Sequence, residues 1–446
     1  MDTPRLEEVR LTSFKSFTEQ RLPLNDLTVL IGRNGSGKSN ALDGLMVLSR
    51  LAALGESLRD ALDGPRSGGE EPVRGGAGGC APLGELSFRL GCRVRSGQAV
   101  YDLDVEIATF PEVRVLHEEL TAVEGVRYAG RRLGAGRPLL VSDPADVRRG
   151  DLNVRCFNGR RGTDPGMPFS SDRLLTGQVP LRVPVTTEAN KLLHEASQDV
   201  LGVLREVFML DPVPHLMRQY VNSRDGELRR SGDNLSAAVV ELMRKDRAAF
   251  TRLTQLVAGM PEYPVRAIGW VETRFGDVQL LLKEAGYHGA EHDVPARLLS
   301  DGMLRFLAFG TALLSAPDAD DEALGWAQRH LVIEEIENGL YPTQAARVLH
   351  LMKEESQHRR IDVLFTTHSP ALLNSLTAED HSGVVVCTRD PESGESRLTR
   401  LTELPGYVDL LAAGDLGDAV SKGRLPDALR PRDTGVDTVE DFLRSL

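Results

Sequence analysis

The stretch that decides the fold is LTVLIGRNGSGKSN, residues 27–40. Its first five residues are apolar or β-compatible and predict a buried strand. The next eight fit the pattern G-x4-G-K-[ST], and apolar residues at helical spacing begin near Lys38. A strand, a glycine-rich turn and a helix in this order let successive backbone N–H groups point at the β- and γ-phosphates of a nucleotide. The sequence therefore predicts a phosphate-binding loop.

Several residues of this loop are expected to bind the nucleotide directly. The N-terminus of the helix contributes roughly half a positive charge, Lys38 neutralises phosphate charge during catalysis, and the Ser39 hydroxyl coordinates Mg²⁺. The predicted nucleotide-binding residues of the loop are Arg33, Asn34, Gly35, Ser36, Gly37, Lys38, Ser39 and Asn40.

Two later segments end in side chains that suit nucleotide hydrolysis. Residues 330–335, HLVIEE, predict a central strand followed by two carboxylates. We expect Glu334 to hold the metal ion through water and Glu335 to act as general base on the attacking water. Residues 364–370, LFTTHSP, predict a second strand that ends at His368, a candidate catalytic residue that can sense the γ-phosphate. Alone, the carboxylate strand is equally compatible with an ordinary strand end, and a lone histidine is more often structural.

A fourth segment, LSDGMLR at residues 299–305, predicts a helix start where Ser300 and Gly302 offer an anion site. Alone it is only a helix cap. Phosphate loop, serine–glycine helix start, carboxylate strand and histidine strand nevertheless follow in the order of ABC-class ATPases. The segment 300–302 resembles a variant of the signature motif of that class, and residues 337–342, ENGLYP, resemble the stretch after its catalytic glutamate. The resemblance implies a dimer around two ATP molecules, in which Ser300 and Gly302 contact the γ-phosphate bound by the other subunit.

Further motifs resemble the SMC, RecF and OLD branch of this class. FKSF at residues 14–17 is similar to the start of SMC and RecF heads, and SDGMLR, EEIENGLYP and TTHSP are similar to stand-alone bacterial AAA ATPases related to OLD. Glu334 replaces the usual aspartate, as in the OLD-like group. Sustained heptads, a Cys-x-x-Cys hook and a Toprim nuclease pattern after His368 are missing from the sequence. We therefore expect a head without long arms or nuclease, similar to phage-defence ATPases such as those of PARIS.

The predicted fold is α/β, an ABC-type P-loop head with an antiparallel β lobe and an inserted helical subdomain. Alternation of strands and helices after residue 300 favours a parallel sheet. The expected domains are an N-terminal ATPase lobe (1–186), a helical insert (187–262) and a C-terminal ATPase lobe (263–446). Three local predictions are tested below: a single strand over Arg10–Phe17, a mobile glycine-rich loop over 61–84, and a helical stripe that includes Val207 and Phe208.

Composition limits the classes of partner. The net charge of −12 argues against a surface that binds nucleic acid everywhere. A cluster of arginines between Arg127 and Arg161 could meet phosphates, or could be a solvated face in a chain with only seven lysines. The four separate cysteines predict reduced thiols. No apolar run is long enough for a membrane span, and the first ten residues lack a secretory pattern, so a cytoplasmic protein without a membrane partner is expected.

The resemblance implies a Mg²⁺-dependent ATPase that forms a homodimer or higher homo-oligomer on ATP. It would regulate a DNA-directed or nuclease effector, encoded separately, in phage defence or genome maintenance; DNA is a candidate ligand. Three alternatives remain at this stage: a RecF-like DNA-repair ATPase, a nucleotide-gated scaffold with little hydrolysis, and a transporter nucleotide-binding subunit.

Overall fold

The computed structural model describes residues 3–53, 57–64, 73–144, 150–260, 264–286, 290–316, 327–338, 340, 342–412 and 414–429. Four predicted features lie wholly or partly outside these residues: Arg148 and Arg149 of the arginine cluster, Gly339 and Tyr341 of the ENGLYP segment, part of the glycine-rich stretch, and the end of the tail.

Twenty strands occur in the described residues. They are β1 (Arg5–Phe14), β2 (Phe17–Pro23), β3 (Leu27–Ile31), β4 (Ser87–Ser96), β5 (Ala99–Ala108), β6 (Arg114–Glu124), β7 (Arg127–Tyr128), β8 (Arg131–Arg132), β9 (Arg137–Ser142), β10 (Asp151–Cys156), β11 (Gly166–Ser170), β12 (Val207–Leu210), β13 (Val221–Asn222), β14 (Val265–Glu272), β15 (Asp277–Ala285), β16 (Glu291–Pro295), β17 (Arg329–Ile333), β18 (Ile361–Thr367), β19 (Val384–Arg389) and β20 (Ser396–Arg400).

Thirteen α-helices occur in the same residues. They are α1 (Lys38–Leu51), α2 (Leu58–Asp63), α3 (Leu175–Arg182), α4 (Glu188–Arg205), α5 (Pro214–Met217), α6 (Leu235–Lys245), α7 (Arg247–Ala258), α8 (Asp301–Leu314), α9 (Pro342–His358), α10 (Pro370–Asn374), α11 (Tyr407–Ala412), α12 (Leu416–Ser421) and α13 (Leu425–Ala428). Within the described ranges, none of these helices combines the length and hydropathy needed to cross a bilayer.

The central sheet has six strands in the order β12-β17-β18-β3-β19-β20, and only the β19–β20 pair is antiparallel. Strand β18 is buried along its whole length, as expected for a parallel strand covered on both faces. The predicted parallel sheet is confirmed. The helical assignment of Val207 and Phe208 was wrong, because the apolar stripe of α4 continues in sequence into β12, whose four residues pair with β17.

The second large sheet is an antiparallel lobe of eight strands in the order β11-β10-β9-β6-β5-β4-β1-β2. Alternating buried and partly exposed residues along β5 and β6 fit a sheet with one covered face. The predicted β lobe is thus confirmed. Arg10–Phe17 is not one strand, however: Ser13 and Lys15 have positive φ angles of 46° and 52°, and the chain reverses there into β2.

The helical region between residues 187 and 260 contains α4, α6 and α7, as expected. Asn234 stands at the first turn of α6, but its side chain does not cap the helix. Its amide instead donates to the Asp225 and Glu227 carbonyls, at 2.8 and 2.6 Å, and ties down the preceding loop. The domain boundaries at residues 186 and 262 stay a prediction.

The described residues 73–84 of the glycine-rich stretch contribute side chains to the core, which the predicted loop did not include. Val73, Ala77 and Cys80 are buried against the lobe core, and the Cys80 carbonyl accepts a hydrogen bond of 2.8 Å from the Lys15 amide. Glycine allows the tight backbone that brings these small side chains into the core. All four cysteines are buried and unbonded to one another, as the sequence predicted.

Phe365, fully buried in the middle of β18, tests the importance of the central sheet for stability. We expect Phe365→Ala to lower the free energy of unfolding by about 3–5 kcal/mol through lost burial and a cavity. The same substitution at Phe275, which is 90% exposed, is the control and should change it by less than about 0.5 kcal/mol. Urea unfolding followed by circular dichroism measures both; equal midpoints would contradict this assignment of the core.

Candidate functional site

Three parallel strands bring the predicted site residues together. In the register of the sheet, Ile333 of β17 lies beside Phe365 of β18, and Thr367 of β18 lies beside Ile31 of β3. The phosphate loop, the carboxylate pair and the histidine therefore leave the sheet at one edge. A cavity of about 200 Å³ lies there, lined by Asn34, Gly35, Gly37, Lys38, Ser39, Asn40, Glu334, Glu335, Thr366 and Arg389.

Close backbone packing explains why glycine is needed in the loop. A Cβ atom at Gly32 would lie 2.2 Å from the backbone oxygen of Cys387 on the neighbouring strand. Gly37, with φ of 112°, precedes α1 and leaves no room for a Cβ atom, which would lie 2.4 Å from the Ser396 hydroxyl. Side chains at either position would push the loop away from the sheet, so the loop conformation depends on both glycines.

Lys38 lies inside the loop and is 6% exposed. Its ammonium donates hydrogen bonds to the carbonyl oxygens of Gly32, at 2.8 Å, and Arg33, at 3.2 Å. Burial lowers the pKa of Lys38, and nearby Glu335 and Glu334 oppose this effect. The charge of Lys38 is thus positioned beneath the glycine turn, as expected for a phosphate-binding lysine.

Ser39 and Glu334 are in direct contact, since the Ser39 hydroxyl donates a short hydrogen bond to the Glu334 carboxylate. A hydroxyl and a carboxylate are hard oxygen donors of the kind that Mg²⁺ prefers, and Mg²⁺ usually takes only one or two protein carboxylates. The two residues predicted as metal ligands from separate parts of the sequence therefore fit a magnesium ion together.

Arg74, which sequence analysis did not select, completes the surroundings of this pair. Its guanidinium lies 3.5 Å from the Glu334 carboxylate and donates to the Ser39 carbonyl at 2.9 Å. Asp43 of α1 pairs with Arg74, at 3.0 Å, and with Lys15, at 2.8 Å. The positive φ of Lys15 at the β1–β2 turn directs this lysine to the helix. Arg74 was missed because it lies in the glycine-rich stretch, far from any motif.

Glu335 adopts an unusual backbone conformation, with φ of 49°. Its amide donates to the Thr366 hydroxyl at 2.8 Å, and its carboxylate accepts from the Asn338 side chain at 2.6 Å. A left-handed conformation costs an ordinary residue on the order of 1–3 kcal/mol and persists when its surroundings impose it. The structure thus holds the predicted base in one orientation at the cavity.

His368 follows β18 and lies within electrostatic range of Lys38 and Glu335, but it is not one of the residues that line the cavity. Its backbone amide donates a short hydrogen bond to Glu337, and its buried Nε2 atom has no hydrogen-bond partner among the described residues. Burial, and then the charge of Lys38, lower the pKa of His368. The imidazole is therefore neutral at pH 7, with an unused polar atom that a ligand can satisfy.

Other predicted residues do not line this cavity. Arg33 is exposed, and Ser36 is buried with its hydroxyl unpaired in the described structure. Ser300 caps α8, where its hydroxyl accepts from the Met303 amide at 3.2 Å, and Gly302 is buried in the first turn. The predicted helix start is confirmed, but its place in a nucleotide site stays a prediction, since the resemblance assigns it to the other subunit.

Two further lining residues were not selected from the sequence. Thr366 belongs to the quoted LFTTHSP segment but looked like ordinary strand sequence. Arg389, at the end of β19, reaches the loop by donating to the Gly35 carbonyl at 3.4 Å. Strand β19 lies beside β3 only in the folded sheet, so no pattern in the sequence indicates Arg389.

Comparison with known families gives one match. Residues 27–374 match the family described as "AAA domain, putative AbiEii toxin, Type IV TA system". This range includes the phosphate loop, the Ser300 helix start, the carboxylate pair and His368. A search of curated proteins found no match.

Solved structures with similar folds include heads of SMC proteins, each at 13% sequence identity. The SMC head bound to the C-winged helix domain of ScpA has a TM-score of 0.47, covering 89% of this chain and 97% of that chain. The SMC head domain from Thermotoga maritima has a TM-score of 0.40, with coverages of 89% and 98%. The SMC head of Pyrococcus furiosus, with an extended coiled coil and bound to the C-terminal domain of ScpA, has a TM-score of 0.42, with coverages of 92% and 100%.

The strain at Glu335 can be measured by comparing two substitutions at this position. We expect Glu335→Gly to be more stable than Glu335→Ala by about 1 kcal/mol, since only glycine adopts positive φ without steric cost. The control is Glu241 in α6, where the order should reverse and Gly be less stable than Ala by about 1 kcal/mol. Urea unfolding measures both pairs. Ala as stable as Gly at position 335 would show that the backbone there is unstrained.

Proposed function

This chain belongs to the AAA-domain family matched above, and on that premise we propose that it is a Mg²⁺-dependent ATPase that dimerises on ATP. The fold is that of an SMC-like AAA ATPase. The observation that supports nucleotide hydrolysis best is the meeting of Lys38, the Ser39–Glu334 pair and Glu335 at one sheet edge.

In the proposed mechanism, the loop residues 33–40 hold the phosphates. The backbone amides of the glycine turn and the first turn of α1 donate hydrogen bonds, and the helix dipole adds partial positive charge. On binding ATP, Lys38 exchanges its two carbonyl acceptors for phosphate oxygens. Arg389, beside Gly35, adds a second cation at the mouth of the cavity.

Ser39 and Glu334 would hold the magnesium ion, Glu334 through a water molecule as expected for a carboxylate at the end of this strand. When bound, this ion supplies charge neutralisation on the β- and γ-phosphates. Arg74 lies close to both residues, and its guanidinium balances the negative charge of the Glu334 carboxylate.

Glu335 is the proposed general base. Its carboxylate accepts the proton of the attacking water, and the fixed backbone reduces the entropic cost of orienting that water. His368 uses its free Nε2 atom to contact the γ-phosphate and report its presence. Because Glu337, the first residue of the ENGLYP segment, accepts from the His368 amide, loss of the γ-phosphate can be transmitted to this segment.

Assembly follows from the resemblance to ABC ATPases. We propose that Ser300 and Gly302 of one subunit contact the γ-phosphate held by the other, so that ATP joins two heads and hydrolysis separates them. Ser300 is exposed at the N-terminus of a fourteen-residue helix, which suits an approaching phosphate.

The proposed biological role is control of a separately encoded effector, a nuclease or another DNA-directed protein, in the cytoplasm. A defence role is favoured over RecF-like repair because the description of the family names a toxin of a type IV toxin–antitoxin system.

ATP binding and turnover can be separated by two substitutions. Lys38→Ala removes a phosphate-binding cation and should abolish binding of a fluorescent ATP analogue. Glu335→Gln should retain that binding but lower phosphate release by about 10²–10⁴-fold, the usual contribution of a general base. Lys245→Ala, at a lysine that is 77% exposed, is the control. Wild-type binding without Glu335-dependent turnover would favour the scaffold alternative.

Assembly on ATP is tested by the mass of the protein in solution. Glu335→Gln with ATP and Mg²⁺ should double in mass, and adding Ser300→Asp should prevent this, because a carboxylate repels the phosphate while still capping the helix. Thr187→Asp, at the capping residue of α4, is the matched control and should leave the dimer intact. A monomer under saturating ATP would contradict the proposed dimer.

A further inference from the structure

Five arginines form an exposed surface at the far edge of the β lobe, away from the nucleotide site. The arginine surface consists of Arg127, Arg131 and Arg132 on the β7–β8 hairpin and Arg160 and Arg161 on the loop between β10 and β11. All five residues are exposed. The hairpin follows β6, three strand spacings from β1, and the loop follows β10, five spacings from β1. None of the five arginines lines the cavity.

The hairpin and the loop are held together by aromatic contacts. The ring of Tyr128 packs edge-on against Phe157, with ring centroids 5.1 Å apart. Gly159 lies directly beneath Tyr128, because a Cβ atom there would be only 1.9 Å from the Tyr128 hydroxyl. The Arg137 guanidinium lies 5.3 Å from the Phe157 ring on the same side. These contacts therefore hold the five arginines on one surface, although they are separated in sequence.

The charges of these five arginines are not neutralised by the described part of the chain. Two arginines beside them are paired: Arg137 with Asp164, at 2.7 Å, and Arg155 with Asp143, at 2.9 Å. Within the described residues, no carboxylate lies within salt-bridge distance of the other five. The surface therefore concentrates five positive charges on a protein whose net charge is −12.

The hairpin also carries an electrostatic cost. Arg127 lies directly opposite Arg132 in the β7–β8 pairing, and like charges in directly opposed positions destabilise a sheet. A carboxylate at either position would have turned this repulsion into attraction. Binding of an anion removes the repulsion, so the arrangement favours a ligand with several negative charges.

The geometry points to duplex DNA as this ligand, bound through its sugar–phosphate backbone. Arg127 and Arg132 are directly opposed and so share the face of the hairpin opposite to Tyr128, whose ring packs on Phe157. Duplex DNA carries one phosphate charge for about every 1.7 Å of its axis, so its backbone can meet several of these exposed arginines at once. Guanidinium groups also bind phosphates with two parallel hydrogen bonds.

This inference rests on the proposed function only for the biological role of DNA binding, which is to bring the ATPase and its effector to DNA. Binding itself requires neither ATP hydrolysis nor dimerisation, because the arginine surface belongs to one chain and lies apart from the cavity. The negative charge elsewhere on the protein would orient the DNA onto this edge of the lobe.

The test compares two triple substitutions that change the net charge equally. Arg127→Gln, Arg131→Gln and Arg132→Gln remove the hairpin charges, and Arg182→Gln, Arg247→Gln and Arg274→Gln remove three exposed arginines elsewhere. Fluorescence anisotropy of a labelled duplex is measured over a series of salt concentrations. We expect the hairpin variant to lose at least about tenfold in affinity and its log–log salt slope to fall by about 2.7, or about 0.9 for each lost phosphate contact. The control variant should bind like the wild type.

Further measurements decide between ligands and exclude misfolding. Arg160→Gln with Arg161→Gln should lower the salt slope by about 1.8, and Arg132→Gln alone should not lower the unfolding midpoint, since it removes a repulsion. Competition by polyglutamate or duplex RNA as strong as by DNA would overturn the assignment, as would equal losses in the two triple variants. Normal ATP turnover without DNA binding would refute this inference alone, whereas DNA binding without turnover would refute only the proposed ATPase.

Discussion

The parallel pairing of β3, β18 and β17 is the constraint on which the site depends. Parallel strands end at the same edge of a sheet, so β3 near the start of the chain and β17 and β18 near its end deliver their polar ends to one place. The Ser39–Glu334 contact is the most direct consequence, since it joins the start of α1, just after the phosphate loop, to the residue that follows β17. Strand β18 is buried along its full length, and removal of its apolar side chains from water stabilises this pairing.

The antiparallel lobe contributes to the same site through support of α1. Its β1–β2 turn places Lys15 against Asp43, and Asp43 in turn holds Arg74 beside Glu334. Close packing of α1 on the lobe requires Gly44, where a Cβ atom would lie 2.3 Å from the Leu11 side chain. The lobe thus supports α1, which follows the phosphate loop, and it also carries the arginine surface.

One strained residue and one unpaired buried nitrogen lie close to the cavity. Glu335 has a positive φ angle, and His368 keeps a buried nitrogen without a partner in the described structure. Both features cost stability in the absence of a ligand. Their position beside Lys38 is consistent with a site whose polar groups are satisfied when phosphate is bound. At a second location, Arg127 and Arg132 of the β7–β8 hairpin likewise cost stability when no ligand is bound, because they repel each other.

Local sequence determined the phosphate loop, the ends of the carboxylate and histidine strands, and the capped start of α8, because each depends on glycine spacing, strand hydrophobicity or a capping side chain within a few residues. Tertiary structure alone decided the roles of Arg74 and Arg389, since their partners come from other strands and are distant in sequence. It also decided that Val207 and Phe208 form a strand, because pairing with β17 outweighs the helical pattern that precedes them. The five arginines were visible as a cluster in the sequence. Only the fold, however, could show that Asp164 and Asp143 pair with Arg137 and Arg155 and not with these five arginines.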